Sequence, residues 1–287
     1  MKKFWIYILV AFGLGWLLQG VGMLLGGYAY QASLSLCMFA PLCGVLVANG
    51  SLKTSVCGVK WKLPLKGRLR FWFAALWGPA AVTVAGAALF FLVLPGRFDT
   101  SLSELNLMAA TTGTKLLGLS VTPGLLAVVT LLQAVTWGPF FNTLFAVGEE
   151  TGWRGYMTPF LCEKLGHKWG LVVSGAIWGA WHWPLICLTG YNFGTGYFGA
   201  PFTGALMMCV ACAALGTLLA FFYDKTQSIW APALCHGAVN AVGGLGILFL
   251  PLGTTSFILG PSPFGLLAGI PLFALAAWVL FGKKKTE

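Results

Sequence analysis

The chain has 287 residues, of which 58% are hydrophobic and only 8% are charged, and its mean hydropathy is +0.85. A water-soluble core cannot hide so much apolar surface, so the composition excludes a soluble globular protein and indicates an integral membrane protein. We interpret the net charge of +10 as membrane topology plus attraction to anionic lipid headgroups, and we expect no nucleic-acid partner.

Apolar segments of about 20 residues, the length that crosses a bilayer, follow one another along the chain. The alternating pattern of a membrane β-barrel is not present, so the sequence predicts an all-α, polytopic transmembrane helical bundle of about eight helices. The first segment is long and lacks a small-residue cleavage site, so we interpret it as a span and not as a signal peptide. The predicted spans are 4–28, 31–49, 71–95, 122–147, 169–188, 202–223, 229–251 and 263–281.

The distribution of lysine and arginine predicts the orientation, because short cytoplasmic loops carry an excess of both residues. With the N-terminus in the cytoplasm, only Arg97 and Lys115 fall on the opposite side. Eight spans then place both termini in the cytoplasm, and we expect one membrane domain over residues 1–287. The residues at or near the cytoplasmic face are Lys2, Lys3, Lys53, Lys60, Lys62, Lys66, Arg68, Arg70, Arg154, Lys164, Lys168, Lys225, Lys283, Lys284 and Lys285.

The small residues of the spans are interpreted as packing residues. In two pairs, Gly22 with Gly26 and Gly175 with Gly179, the residues lie one turn apart, a spacing that lets neighbouring helix backbones approach closely. Cys209 and Cys212 have the spacing of a redox or metal pair, but no second pair and no histidine run accompany them. We expect no disulfide framework among the eight cysteines, which are Cys37, Cys43, Cys57, Cys162, Cys187, Cys209, Cys212 and Cys235.

Two adjacent glutamates, Glu149 and Glu150, stand out because the chain has only seven acidic residues and a carboxylate within a membrane is costly. Helical pitch places Glu150 and Arg154 on one face at the spacing of an ion pair, and Glu149 about 100° away. A carboxylate paired with arginine stays ionised, so we expect the two acids to take different roles, with Glu149 as a general base. The alternative is that both acids only mark the cytoplasmic end of the fourth helix and pair with Arg154 and nearby lysines.

Two of the three histidines lie within spans. His182 follows Trp178 by one turn in the fifth span and needs a hydrogen-bond partner there. His236 and Asn240 lie at i and i+4 in the seventh span, so both side chains can point at one spot. A single buried histidine is more often a core residue, but these residues together favour a functional site. His167, in a basic stretch, is expected to be solvated.

The depths of these motifs do not match within the predicted spans. The glutamates fall near the end of the fourth span, whereas His182 counts more than halfway across the fifth. We expect the fourth helix to continue past Glu149, and Pro159 indicates a kink or break within that continuation. The apolar stripe that predicts the continuation consists of Tyr156, Met157, Phe160, Leu161 and Leu165.

The three motifs, in this order, resemble those of the CAAX protease and bacteriocin-processing family of intramembrane glutamic endopeptidases, also called the Abi family. The resemblance covers about residues 125–250, which we take as the catalytic core. The family usually has phenylalanine where this chain has Trp178, which preserves an aromatic wall. The motifs are Glu149-Glu150-x-x-x-Arg154, Trp178-x-x-x-His182 and His236-x-x-x-Asn240.

The resemblance implies hydrolysis of a peptide bond in the membrane by a glutamate-activated water. Carried over by position, Glu149 would be the general base, and His182 would hold and polarise the same water. Glu150 and Arg154 would position the base. The implied substrate is a membrane-associated peptide or protein, with or without a prenyl group, and membrane lipid is the other expected partner.

By the same resemblance, His236 and Asn240 would form the oxyanion hole, since both can donate to the charge on the scissile carbonyl oxygen. A zinc-dependent version of the protease would use the two glutamates and the two span histidines as ligands. We disfavour it, because the chain has no His-Glu-x-x-His helix and Asn240 is a poor zinc ligand. We therefore expect no cofactor.

A non-enzymatic membrane protein, either a transporter or a bacteriocin-immunity protein, is the alternative from a different class. In such a protein the buried acids and histidines would relay protons or shape a binding surface. A secondary transporter commonly has two related halves, and residues 1–120 contain no matching motif. In either case we expect a multi-pass protein of the cell membrane, with a prokaryotic plasma membrane as the predicted location.

Overall fold

The structure, a computed structural model, describes residues 1–50, 52, 58–111, 115–116, 119–120 and 122–282. Of the residues assigned above, Lys53, Cys57, Lys283, Lys284 and Lys285 lie outside these ranges.

The described residues form thirteen α-helices and a few short elements. The helices are α1 (Lys2–Leu25), α2 (Gly27–Cys37), α3 (Ala40–Asn49), α4 (Leu69–Val93), α5 (Ser103–Thr111), α6 (Pro123–Val135), α7 (Gly138–Gly152), α8 (Thr158–Leu165), α9 (His167–Trp181), α10 (Trp183–Thr189), α11 (Phe202–Thr226), α12 (Trp230–Val242) and α13 (Ile270–Phe281). The short elements are a π-helical turn (Trp153–Met157), two 3-10 turns (Pro95–Arg97 and Leu245–Phe249) and the antiparallel pair β1 (Lys115–Leu116) and β2 (Leu119–Ser120).

Five helical segments of the described chain are long and apolar enough to cross a membrane, or seven if each of two bent helix pairs counts as one span. The predicted helical bundle of a multi-pass membrane protein is thereby confirmed. The eighth predicted span, 263–281, begins too early, because α13 begins only at Ile270. Pro261 and Pro263 precede it, and proline removes a backbone donor that a helix would need.

The fourth predicted span, 122–147, is wrong in two respects: it contains a helix break, and it ends too early. The helix breaks at Thr136 and Trp137 and restarts with α7, which is bent by 48° from α6. From there the chain stays helical through the π-helical turn to Leu165, so the predicted continuation past the glutamates is confirmed. Pro159 follows the π-helical turn, and the helix continues past it to Leu165, so the proline does not end the helix. The glutamates therefore lie in the middle of a helical segment.

The fifth predicted span, 169–188, is broken at the histidine itself. α9 ends at Trp181, His182 caps it, and α10 leaves at an angle of 41°. Pro184 occupies the first turn of α10, where proline is favoured because its missing N–H is not needed. His182 thus lies in a bend between two helices, and not within one.

Glycine permits a close contact between α9 and α11. A Cβ atom on Gly175 would lie 2.3 Å from the Cα of Ala213, and one on Gly179 would lie 2.4 Å from the Cα of Cys209. The packing role predicted for these two glycines is confirmed. Gly22 also packs closely, since a Cβ there would lie 2.7 Å from the Cβ of Ser33, but the prediction is wrong for Gly26, which caps α1 and whose Cβ would have no atom within 4 Å. All seven cysteines that the structure describes are free thiols, and Cys209 and Cys212 belong to the contact between α9 and α11.

The N-terminal helix α1 holds the end of α9 in place. Trp16 Nε1 and Gln19 Nε2 of α1 donate hydrogen bonds to the carbonyl oxygen of Trp181 over 3.0 and 3.3 Å. In return Trp181 Nε1 donates to the carbonyl oxygen of Ala11 over 3.0 Å. Gly15 makes room for the buried indole of Trp181, so α1 positions the turn that presents the following histidine.

Replacement of Gly15 by alanine tests this contact. The new Cβ would lie 2.2 Å from Trp181 Nε1, so the indole must move, and we expect a loss of about 1–3 kcal/mol in stability. Gly13→Ala is the matched control on the same helix, because its Cβ has no atom within 4 Å. Thermal unfolding of both variants in detergent measures the difference; equal midpoints would contradict the α1 contact.

Candidate active site

The two adjacent glutamates are buried in α7 and have different partners. Glu149 is 2% exposed and Glu150 is fully buried. Glu149 Oε2 accepts hydrogen bonds from Trp153 Nε1 over 3.0 Å and from Trp178 Nε1 over 2.7 Å. Both donors are neutral indoles, so Glu149 is held in place by groups that carry no charge.

Glu150, by contrast, is held by cationic or ionisable groups. Its Oε1 accepts from Arg154 Nη1 over 3.1 Å and lies 2.8 Å from His236 Nδ1. The predicted ion pair between Glu150 and Arg154 is confirmed. The alternative, that both acids mark a helix end and pair with Arg154 and nearby lysines, is right about Arg154 and Glu150 but wrong about the helix end, because both acids are buried in a helical segment that continues to Leu165. Buried ion pairs lose much hydration, so their presence is more readily explained by a functional site than by stability.

Arg154 is only 2% exposed and is enclosed on several sides. Its guanidinium carbon lies 4.2 Å from the ring centroid of Trp178, which is a cation–π contact. Gly216 on α11 leaves the space for this side chain, since a Cβ there would lie 3.0 Å from Arg154 Nη2. The arginine therefore neutralises Glu150 from a fixed position.

His182 faces its own helix end through Nδ1, which lies 3.0 Å from the carbonyl oxygen of Trp178. A carbonyl oxygen only accepts, so Nδ1 carries the hydrogen and Nε2 of the neutral ring is an acceptor. The ring lies between aromatic neighbours, with centroids 5.1 Å from Trp181 and 6.4 Å from Tyr191. His182 can thus accept a hydrogen bond from a water molecule at Nε2.

His236 on α12 is oriented by Glu150. The same carboxylate oxygen accepts from Arg154, so Nδ1 of His236 carries the hydrogen, and Nε2 donates only when the ring is an imidazolium. Asn240 lies one turn further along α12 and is exposed, whereas His236 is buried.

Trp178 contacts more of the site than the sequence predicted. Its N–H binds Glu149, its face covers Arg154, and its ring lies 5.9 and 5.2 Å from the rings of His182 and His236. The sequence predicted only an aromatic wall there, but phenylalanine could not supply the N–H. Trp153 was also missed, although its position four residues after Glu149 is a signal that helical spacing could have provided.

The predicted site residues are therefore brought together to different degrees. Glu149, Glu150, Arg154, His182 and His236 all contact one another or the ring of Trp178, whereas Asn240 is placed near them by its helix alone. Among the residues that the structure describes, no group of three or more His, Cys, Asp or Glu side chains is arranged to hold a metal ion. The expectation that no cofactor is needed stays a prediction.

Comparison with known proteins gives a match that covers the segment that carries these residues. A comparison with curated proteins finds no match to this chain. Residues 124–242 match the family described as Rce1-like, type II CAAX prenyl endopeptidases. The match runs from α6 to α12 and contains all six predicted site residues. The resemblance to the CAAX protease and bacteriocin-processing family, inferred from three motifs, is confirmed by this match to the Rce1-like CAAX endopeptidases over residues 124–242.

Proposed function

We propose that the protein is an intramembrane endopeptidase that cleaves a CAAX-type, membrane-associated substrate with a water molecule activated by Glu149. The observation that carries the proposal is the division of partners between two adjacent buried carboxylates. Arg154 and His236 bind Glu150, whereas two indoles bind Glu149. An acid that is desolvated and has no direct ion pair is suited to accept a proton.

The base step uses the free oxygen of Glu149. Both indole bonds end on Oε2, which leaves Oε1 to accept a hydrogen bond from water. As the water oxygen attacks the scissile carbonyl carbon, one water proton passes to Glu149. His182 Nε2 accepts a hydrogen bond from the same water and so fixes its orientation. Glu149 then returns its proton to the leaving amine nitrogen as the carbon–nitrogen bond breaks.

The oxyanion that forms during the attack needs donors that are already in place. Nε2–H of His236 is one such donor when the ring carries a hydrogen on both nitrogens, and Glu150 keeps the ring oriented through Nδ1. Asn240 adds an amide N–H from the next turn of α12, where its exposure lets it reach a bound peptide. Arg154 holds Glu150 and acts through it as a positioning residue.

Glu149→Gln is the first test of this mechanism. The glutamine oxygen can still accept from both indoles, so we expect a folded protein that has lost its base and about a hundredfold to ten-thousandfold of its cleavage rate. Glu163→Gln is the matched control, because Glu163 lies on α8 in the same helical segment with its side chain 57% exposed. The assay is cleavage of a quenched fluorescent peptide library in nanodiscs, including farnesylated C-terminal peptides.

A strong chelator and a folding check make the outcome decisive. Wild-type activity that survives the chelator and is lost in Glu149→Gln supports the proposal. Activity that the chelator removes and zinc restores would replace it with the zinc-dependent version. Folded wild-type protein that cleaves no peptide would favour the non-enzymatic alternative.

Trp178→Phe tests the role of the indole N–H separately. Phenylalanine keeps a ring over Arg154 but removes one hydrogen bond to the Glu149 carboxylate, a bond of about 1.5–3 kcal/mol, so we expect cleavage to slow by about tenfold to a hundredfold. Trp169→Phe on the same helix is the control, since Trp169 is 69% exposed. An unchanged cleavage rate in Trp178→Phe, measured with the same peptides, would show that the indole only packs.

A further inference from the structure

An apolar cavity of about 220 Å³ lies between α4, α11, α12 and α13, on a side of the bundle that the proposed chemistry does not use. Its lining is apolar apart from Thr83 and the thiol of Cys235. Leu275 and Trp278 of α13 line it and are 42% and 63% exposed, so the cavity opens towards the membrane. An apolar cavity of about 150 Å³ stays dry and binds benzene, so this one is large enough for a segment of a single hydrocarbon chain.

Two cations lie beside one end of the cavity. Phe221 of α11 lines the cavity, and Lys225 Nζ lies 5.9 Å from the centroid of its ring. The ring of Phe71 lies 6.0 Å from that of Phe221, and the guanidinium carbon of Arg70 lies 4.8 Å from the ring of Phe71. Two positive charges from two helices therefore lie next to the same aromatic wall.

We propose that this cavity binds one anionic phospholipid, with one acyl chain inside it and the phosphate between Arg70 and Lys225. An apolar slot with cations at one end matches a molecule that has a hydrocarbon chain and a negative headgroup. Basic pockets between transmembrane helices recognise anionic headgroups in this way, with a contribution of about 1 kcal/mol from each nearby cation. A neutral or zwitterionic lipid would leave that charge unmatched.

The wall that separates the cavity from the candidate active site identifies the occupant as a resident lipid and not the substrate. Cys235 and Val239 of α12 line the cavity, whereas His236, between them in sequence, faces Glu150. Helical pitch puts Cys235 about 100° and Val239 about 60° from His236 around α12. A bound acyl chain thus packs against the side of the helix next to His236 and supports its position.

Native mass spectrometry of the purified, delipidated protein tests the site by titration with dioleoylphosphatidylglycerol or dioleoylphosphatidylcholine. We expect one phosphatidylglycerol per chain, bound at least about tenfold more tightly than phosphatidylcholine. Gly78→Leu should abolish this binding, because Gly78 lines the cavity and its Cβ has no atom within 4 Å, so the leucine fills the cavity without a clash. Gly13→Leu on α1 is the matched control.

The headgroup contacts are tested by the double variant Arg70→Gln, Lys225→Gln, which should weaken the binding of phosphatidylglycerol by about tenfold or more. Arg97→Gln is the control. Equal binding of the two lipids, or full binding by Gly78→Leu, would overturn the proposal. Displacement of phosphatidylglycerol by a farnesylated peptide would also overturn it, since the cavity would then take the substrate's chain. These readouts do not depend on peptide cleavage.

Discussion

Two carboxyl groups on consecutive residues cannot both be buried in an apolar bundle unless each has its own hydrogen-bond partners. Here the division follows from helical geometry, since consecutive side chains point about 100° apart. Glu149 accepts from indoles of its own helical segment and of α9. Glu150 binds Arg154 of its own segment and His236 of α12. The relative placement of three helical segments is therefore fixed around one pair of acids.

Close helix packing elsewhere in the bundle serves this arrangement. A Cβ on Gly216 would crowd Arg154 and would touch the backbone of Gly175, so the contact that joins α9 and α11 also leaves space for the arginine. α1 acts from the other side through Trp181, although it lies outside the segment that matches the Rce1-like family. The site thus depends on helices that carry none of its motifs.

The sequence predicted the membrane bundle, the ion pair of Glu150 with Arg154 and the packing role of Gly175 and Gly179, because each follows from composition or from helical spacing. It predicted the helix breaks poorly. Hydropathy runs unchanged through Thr136 and through His182, and the bends there are visible only as nearby prolines whose effect depends on tertiary packing. The contacts of Trp178 were missed for a related reason: an indole N–H is a specific donor only once a carboxylate from another helix lies within reach.

The burial of this cluster also constrains which substitutions the chain can accept. Glu150 and Arg154 form an ion pair in the apolar interior, so loss of either partner would leave the other charge buried without compensation. The two positions can therefore change only together. Trp178 extends this constraint to Glu149, because its face lies against Arg154 while its N–H binds the Glu149 carboxylate.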